Sequence, residues 1–299
     1  MKRRFATVDV FTGRAFGGNP LAIVLDAEGL SSAAMQAIAA EFNYSETTFV
    51  LPPRNPAHTA QVRIFTPKSE LPFAGHPNVG TGFWLAREAA VFGKPVGPVG
   101  DSLVFEEIAG LVPIRIIRNA GAVIGADITA PQRLSIGETV PPALIAACLG
   151  LDESDVISSV HPPCVASVGT AFTIAQLRDP ALLERIVVDH ARFAQLPAQA
   201  HDLHVYAWEA DAARSDIDIH CRMFAPLDGI PEDPATGSAN AALAALIAST
   251  RPPADLVLRI AQGDAMGRPS RLRATVSAAG IATIGGTCVV IAEGHLSID

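Results

Sequence analysis

The sequence predicts an α+β protein of two similar domains, each a strand-rich, barrel-like mixed sheet wrapped around one buried helix. Three observations carry this. Residues 63–72 read RIFTPKSELP and residues 222–231 read RMFAPLDGIP, so Arg, Phe and two Pro recur at a constant spacing of 159. A self-match at one long spacing is the mark of a duplicated unit. Each copy then runs through Gly and Pro into a helical stretch, FAGHPNVGTGFWLAREAA in the first and EDPATGSANAALAALIA in the second. The second stretch is apolar nearly all round at 239–248, as a buried helix is. Finally, short strands recur at even spacing between turns, the pattern of barrels or sandwiches and not of a parallel doubly wound sheet.

Strands are expected at 6–11, 21–25, 47–51, 61–65, 103–108 and 111–117 in the first half. Helical periodicity appears at 31–42, opened by serine caps, and at 77–90, where Pro77 would be the first helical residue and His76 the cap. In the second half strands are expected at 122–128, 166–177, 203–208, 217–224, 256–262, 272–277, 281–286 and 288–294. Helices are expected near 141–149, 180–196 and 237–249, and the pattern breaks between the halves at 118–121, RNAG.

The chain of 299 residues can bury two cores, and 49% hydrophobic with 17% charged residues describes an ordered globular protein. A net charge of −8 argues against a nucleic-acid partner. The start, MKRRFATVDVF, lacks the apolar core of a signal peptide, and no apolar run reaches the ~20 residues of a membrane span, so the expected location is cytoplasmic. Cys148, Cys164, Cys221 and Cys288 are scattered without CxxC or His pairs, so neither a metal site nor a disulfide framework is expected. No glycine-rich nucleotide loop, HExxH or GxSxG is present, which removes the usual signs of nucleotide, zinc and serine-hydrolase chemistry.

The chemistry is expected where the duplicated helices begin. A helix N-terminus offers unpaired N–H groups and a positive dipole end, a cradle for a carboxylate or phosphate. His76 is a poor cap in its Gly-flanked start, which singles it out. Asp233, 159 residues after Ala74, precedes Thr236 as cap, with Gly237 and Ser238 in the first turn. Glu46 lies at a helix-to-strand turn among Phe42, Tyr44 and Phe49, surroundings that disfavour a charged carboxylate and make a proton donor. Taken alone, Glu46 reads more simply as a solvated turn acid, Asp233 as an acidic loop residue and His76 as a half-buried imidazole bonded to a carbonyl. Asn19, in a GGNP turn, needs no functional explanation.

Together VDVFTGRAFGGNPLAIV, NYSETTFV, FAGHPNVGTGFWL, EDPATGSANAAL and QGDAMGRPSRL, in order over essentially the whole chain, resemble the PhzF-like (phenazine biosynthesis PhzC/PhzF) family of the diaminopimelate-epimerase-like superfamily. The resemblance implies two pseudo-twofold related domains with the active site in the cleft between them. The expected boundaries are 1–119, completed by a C-terminal strand at about 285–299, and 120–284. It implies a homodimer, no cofactor and no metal, and an isomerase that moves a proton between carbons, as on trans-2,3-dihydro-3-hydroxyanthranilate. By the same resemblance Glu46, His76 and Asp233 are catalytic, while Gly75, Gly237, Ser238 and Asn19 bind substrate. Superfamily racemases use a cysteine at each helix start, and this chain has none there. A small carboxylate is the expected substrate. A hydrolase or lyase built on Asp233 and His76, or a binding protein without turnover, stays open.

Overall fold

The computed structural model describes residues 2–95, 101–211 and 215–298. It divides into two compact units, one running to Thr129 and resuming at Gly285, the other from Ala130 to Ile284. The RNAG segment at 118–121 is the turn of a hairpin inside the first unit, and the chain divides after Thr129.

The first unit contains β1 (Lys2–Val10), β2 (Asn19–Val24), α1 (Ser32–Phe42), β3 (Glu46–Leu51), β4 (Ala60–Phe65), β5 (Glu70–Leu71), α2 (Gly75–Leu85), a small hairpin of β6 (Ala90–Val91) and β7 (Lys94–Pro95), β8 (Ser102–Glu107), β9 (Gly110–Asn119) and β10 (Ala122–Thr129). The second contains β11 (Ser135–Thr139), α3 (Pro142–Leu149), β12 (Val156–Ile157), β13 (Cys164–Ser167), β14 (Ala171–Leu177), α4 (Ala181–Glu184), α5 (His190–Phe193), β15 (Leu203–Trp208), β16 (Ile219–Ala225), β17 (Ile230–Asp233), α6 (Gly237–Ser249), β18 (Leu256–Gln262) and β19 (Ser270–Val276). The final strand, β20 (Ala282–Ser297), supplies Cys288–Ser297 to the first unit as an antiparallel partner of β1.

In the first unit the strands close on themselves. β1 pairs with β2, β2 runs parallel to β3, and β4 follows antiparallel to β3 and parallel to β8. β8, β9, β10 and β20 complete the ring back to β1. Helix α2 lies inside it, every residue buried, packed on β1, β2, β3, β9 and β10. Its glycines make room: a Cβ on Gly82 would come within 2.5 Å of Ile114 Cγ2. Outside the ring α1 covers β2, β3 and β4 through Met35, Ala39, Phe49 and Phe65. Burial of such side chains stabilises by roughly 1.5–3 kcal/mol each.

The second unit repeats the order. β14 runs parallel to β15, β16 antiparallel to β15 and parallel to β18, and β19 antiparallel to β18. Helix α6 packs on β13, β14, β18 and β19. Outside, α3 and the α4–α5 segment pack on β15 and β16 through Ile145, Leu149, Phe193, Val205 and Phe224. No helix among the described residues is long and apolar enough to cross a membrane.

Several expected elements differ. The strand expected at 166–177 is the antiparallel pair β13 and β14, and the helix expected over 77–90 ends at Leu85. The helix expected over 180–196 is two short helices, because Val187 and Asp189 instead give their N–H groups to Leu149 and Cys148 at the end of α3. The strands expected at 281–286 and 288–294 are one. Gly285 lies inside β20, where a Cβ would meet Asp127 Cβ at 2.2 Å, so glycine serves close strand approach and not a turn.

Candidate active site

The helix starts fix the geometry. α2 begins at Gly75 with Ala74 as its cap, two residues earlier than expected, so His76 is the second helical residue and Pro77 the third. Proline costs nothing there, because the N–H groups of the first turn have no intrahelical partner. α6 begins at Gly237 with Thr236 as cap. Neither cap side chain bonds the helix N–H groups, so those of Gly75, His76, Gly237 and Ser238 stay open to an anion.

A matching asparagine holds each cap from within. Asn78 donates through Nδ2 to the Ala74 carbonyl at 3.0 Å, and Asn240 through Nδ2 to the Thr236 carbonyl at 2.9 Å. The spacing of these pairs is 162 residues, and not the 159 of the opening phrases. Arg63 holds Glu70 with two hydrogen bonds of 2.6 Å and lies over Phe65; Arg222 holds Glu232 with two of 2.7 Å and lies over Phe224. The spacing therefore changes between Phe224 and Glu232, where a turn at Pro226–Asp228 and Gly229 carries three extra residues. Asp233 is thus the counterpart of Leu71 and not of Ala74, since Ile64 pairs with Leu71 and Met223 with Asp233. Gly237 and Ser238 correspond to Gly75 and His76.

Two of the expected catalytic residues of the first unit, Glu46 and His76, meet at this helix start. Glu46 opens β3 in register with Leu21 of β2. His76 Nε2 stands 3.5 Å from Glu46 Oε2, with the two side chains 5% and 14% exposed. The imidazole is hydrogen-bonded to the Pro20 carbonyl, while burial, the larger influence, lowers its pKa to about 3. It is therefore neutral at pH 7. Because Nε2 makes no hydrogen bond, the ring proton is assigned to Nδ1 and the Nε2 lone pair faces the carboxyl group. The separation exceeds that of a strong hydrogen bond, so the pair is in contact but not locked. Asn19, fully buried beside Pro20, accepts a long 3.4 Å bond from Ser45, next to Glu46.

In the second unit Asp233 accepts from the Thr236 hydroxyl at 2.5 Å. Gln262 donates to the Asp233 carbonyl at 2.8 Å and accepts from Asn240 at 2.7 Å. His204 Nε2 lies 3.2 Å from Asn240 Oδ1, and burial lowers its pKa to about 4, so the neutral ring donates. Asp202, just before β15, is held up to about 7 by burial and then by Asp228 and Asp233. Strand register makes it the counterpart of Glu46, because Thr47 and Leu203 face Phe65 and Phe224 respectively.

Sequence reasoning missed Asn78, Asn240, Gln262, His204 and Asp202. The asparagines had a visible signal, GHPN and GSAN, three residues after each helix-opening glycine. Asp202 had none, since its correspondence to Glu46 exists only in strand register. The four cysteines are free and buried, and none lies at a helix start. Burial pushes Cys148 up to about 11 and Cys288 up to about 12, against thiolate chemistry at either. No cluster of three or more His, Cys, Asp or Glu among the described residues is arranged to hold a metal.

A family model described as phenazine biosynthesis-like protein matches residues 8–294. An uncharacterised isomerase of Mesorhizobium japonicum is 38% identical over 99% of each chain. The trans-2,3-dihydro-3-hydroxyanthranilate isomerase of Pseudomonas aeruginosa is 35% identical over 98% of each. Among solved structures, a PhzF-family phenazine biosynthesis protein of Bacillus anthracis superimposes with a TM-score of 0.86 at 25% identity, covering all of both chains. A hydroxyproline epimerase of Agrobacterium vitis shares the fold, with a TM-score of 0.62 at 13% identity over 100% of this chain and 93% of its own.

Proposed function

Since the chain belongs to the phenazine biosynthesis-like (PhzC-PhzF) family of isomerases, we propose that it moves a proton between two carbons of a small carboxylate, without a cofactor, using Glu46 as the acid and base. The observation that carries this is the Glu46–His76 contact at an uncapped helix start. A carbon acid is deprotonated at useful rates only where fixed dipoles stabilise the charge that develops. The Gly75 and His76 N–H groups and the dipole end of α2 supply such a field for a substrate carboxylate.

Glu46 takes the proton from one carbon and returns it to another on the same face. The bare Nε2 of neutral His76 receives a hydrogen bond from Glu46 while the proton is held, then releases it. One carboxyl group suffices for a shift on a single face, whereas racemisation needs an acid on each. Gly237 and Ser238 bind substrate polar groups, Asp233 orients an ammonium or hydroxyl substituent, and Asn19 supports the Glu46 turn. The active species is taken to be a cytoplasmic homodimer, as the family resemblance implies.

The substrate to try first is trans-2,3-dihydro-3-hydroxyanthranilate, the compound in the name of the Pseudomonas aeruginosa relative. Incubation in deuterated water, followed by NMR, is expected to place deuterium on the ring carbon that receives the proton. Failure of that compound and of a panel of cyclic carboxylic and amino acids, with ligand binding retained, would favour a binding protein. Release of a fragment or addition of water would favour a lyase or hydrolase built on Asp233 and His76.

A further inference from the structure

The two units join their first paired strands differently. In the second unit β13 turns into its antiparallel partner β14 through residues 168–170 alone. In the first unit the counterpart hairpin, β1 into β2, uses residues 11–18. Each hairpin leads on to a parallel neighbour, β15 in one case and β3 in the other, so the short turn is all that the fold requires. The longer loop reads FTGRAFGG, and its tip from Gly13 to Phe16 is exposed while the residues on either side are buried.

That tip is held, not loose. Phe16 is 74% exposed, more than any other large apolar residue described, and its backbone lies in the left-handed region at φ 67°, which a bulky side chain rarely adopts. Its N–H donates to the buried Asp9 Oδ2 at 2.7 Å. Thr12 Oγ1 donates to the Arg14 carbonyl at 3.0 Å and accepts from the Arg14 N–H at 3.2 Å. Gly18 closes the loop at φ +62°, where a Cβ would stand 2.2 Å from the Val10 carbonyl oxygen. A lone exposed apolar side chain needs no explanation. One held into solvent on strained backbone by a buried carboxylate is the kind of feature that gathers at binding sites.

The loop stands on the rim of the ring where α2 begins. Asp9 pairs with Pro20 across the β1–β2 ladder, so the Phe16 N–H bound to Asp9 lies within roughly 10 Å of Pro20. The Pro20 carbonyl holds the His76 ring. Asn19, the first residue after the loop, accepts from Ser45 beside Glu46.

We propose that Phe16 is a specificity-determining residue of this site, its ring covering the flat face of an unsaturated cyclic carboxylate whose charged end sits at the start of α2. The role rests on the reading of that helix start as the active site. It narrows the substrate from small carboxylates in general to planar, ring-bearing ones. Two π faces attract in an offset stack, and a covered face keeps water from the carbons that lose and gain the proton.

The test uses the full-length protein with Phe16→Ala, Phe16→Tyr and Phe16→Gly. The probes are 2-aminobenzoate, a planar ring acid, and cyclohexanecarboxylate, a puckered one of similar size, each titrated by NMR. The wild type is expected to bind the planar acid about tenfold more tightly, the worth of one stacked ring face. Phe16→Ala loses that preference by weakening the planar acid alone, and Phe16→Tyr keeps it. Phe16→Gly melts no lower than the wild type, since glycine takes the left-handed backbone without strain and the ring supports nothing in the fold. A wild type without the preference overturns the proposal, as does a preference unchanged in Phe16→Ala or a Phe16→Gly variant that melts lower. The titrations need no turnover. A protein that binds the planar acid through Phe16 but moves no proton keeps this inference and loses the isomerase reading. Turnover with a KM unchanged in Phe16→Ala does the reverse.

Discussion

His76 Nε2 faces Glu46 Oε2 at 3.5 Å with its lone pair bare, because the Pro20 carbonyl holds the opposite side of the ring. The neutral imidazole is a consequence of burial in the first turn of α2. With its Nε2 lone pair bare it can accept a hydrogen bond from Glu46. Two carboxyl-bearing positions related by the duplication, Glu46 and Asp202, thus differ in what stands next to them. Glu46 has a neutral acceptor, and Asp202 has the charges of Asp228 and Asp233.

The neutrality of His76 is testable through stability. Its folded pKa is depressed to about 3 and that of His204 to about 4, below the ordinary 6.5. The unfolded chain takes up protons below 6.5 that the folded chain refuses. Stability is full above 6.5 and falls by about 1.4 kcal/mol per pH unit for each such histidine as pH drops towards those values. His76→Gln is expected to flatten the fall in melting temperature between pH 6.5 and 4.5. A variant that tracks the wild type over that range would show that His76 is protonated in the folded state.

The two capping asparagines are expected to differ in cost. Asn78→Ala removes one bond to the Ala74 carbonyl, worth ~1 kcal/mol. Asn240→Ala also takes a donor from Gln262 Oε1 and leaves the buried His204 Nε2 without its partner, so a loss of about 2–4 kcal/mol is expected in urea unfolding. Equal losses would contradict the network drawn for the second unit.

Asp202 carries a pH signature of the opposite sign to His76. Its pKa is raised from 3.8 to about 7, so its contribution to stability is full below 3.8 and gone above 7. Asp202→Asn should raise the melting temperature at pH 8 and leave it unchanged at pH 3.5. A variant less stable than the wild type at pH 8 would mean that the ionised form has a partner in the fold.

The duplication, the buried α6 and most strands were legible because they rest on local pattern: alternation, capping serines and a repeated phrase. The three-residue insertion before Glu232 was not, because matching prolines at 72 and 231 kept a false register going. Strand pairing shows that Pro72 corresponds instead to Pro234. The same blindness hid Asp202 and split β20, whose Gly285 reads as a turn until β10 is seen lying against it. Local sequence also placed the cap of α2 at His76, since nothing in AGHP announces that Asn78 will hold the Ala74 carbonyl.

The central claim is that Glu46 alone carries the proton, and hydrogen exchange in deuterated water with Glu46→Gln tests it most directly. With a substrate turned over by the wild type, the account predicts that the variant binds with a Kd within about threefold of the wild type. Deuterium incorporation should fall by at least 10³-fold, the scale of a lost general acid and base. Exchange within tenfold of the wild-type rate would contradict it.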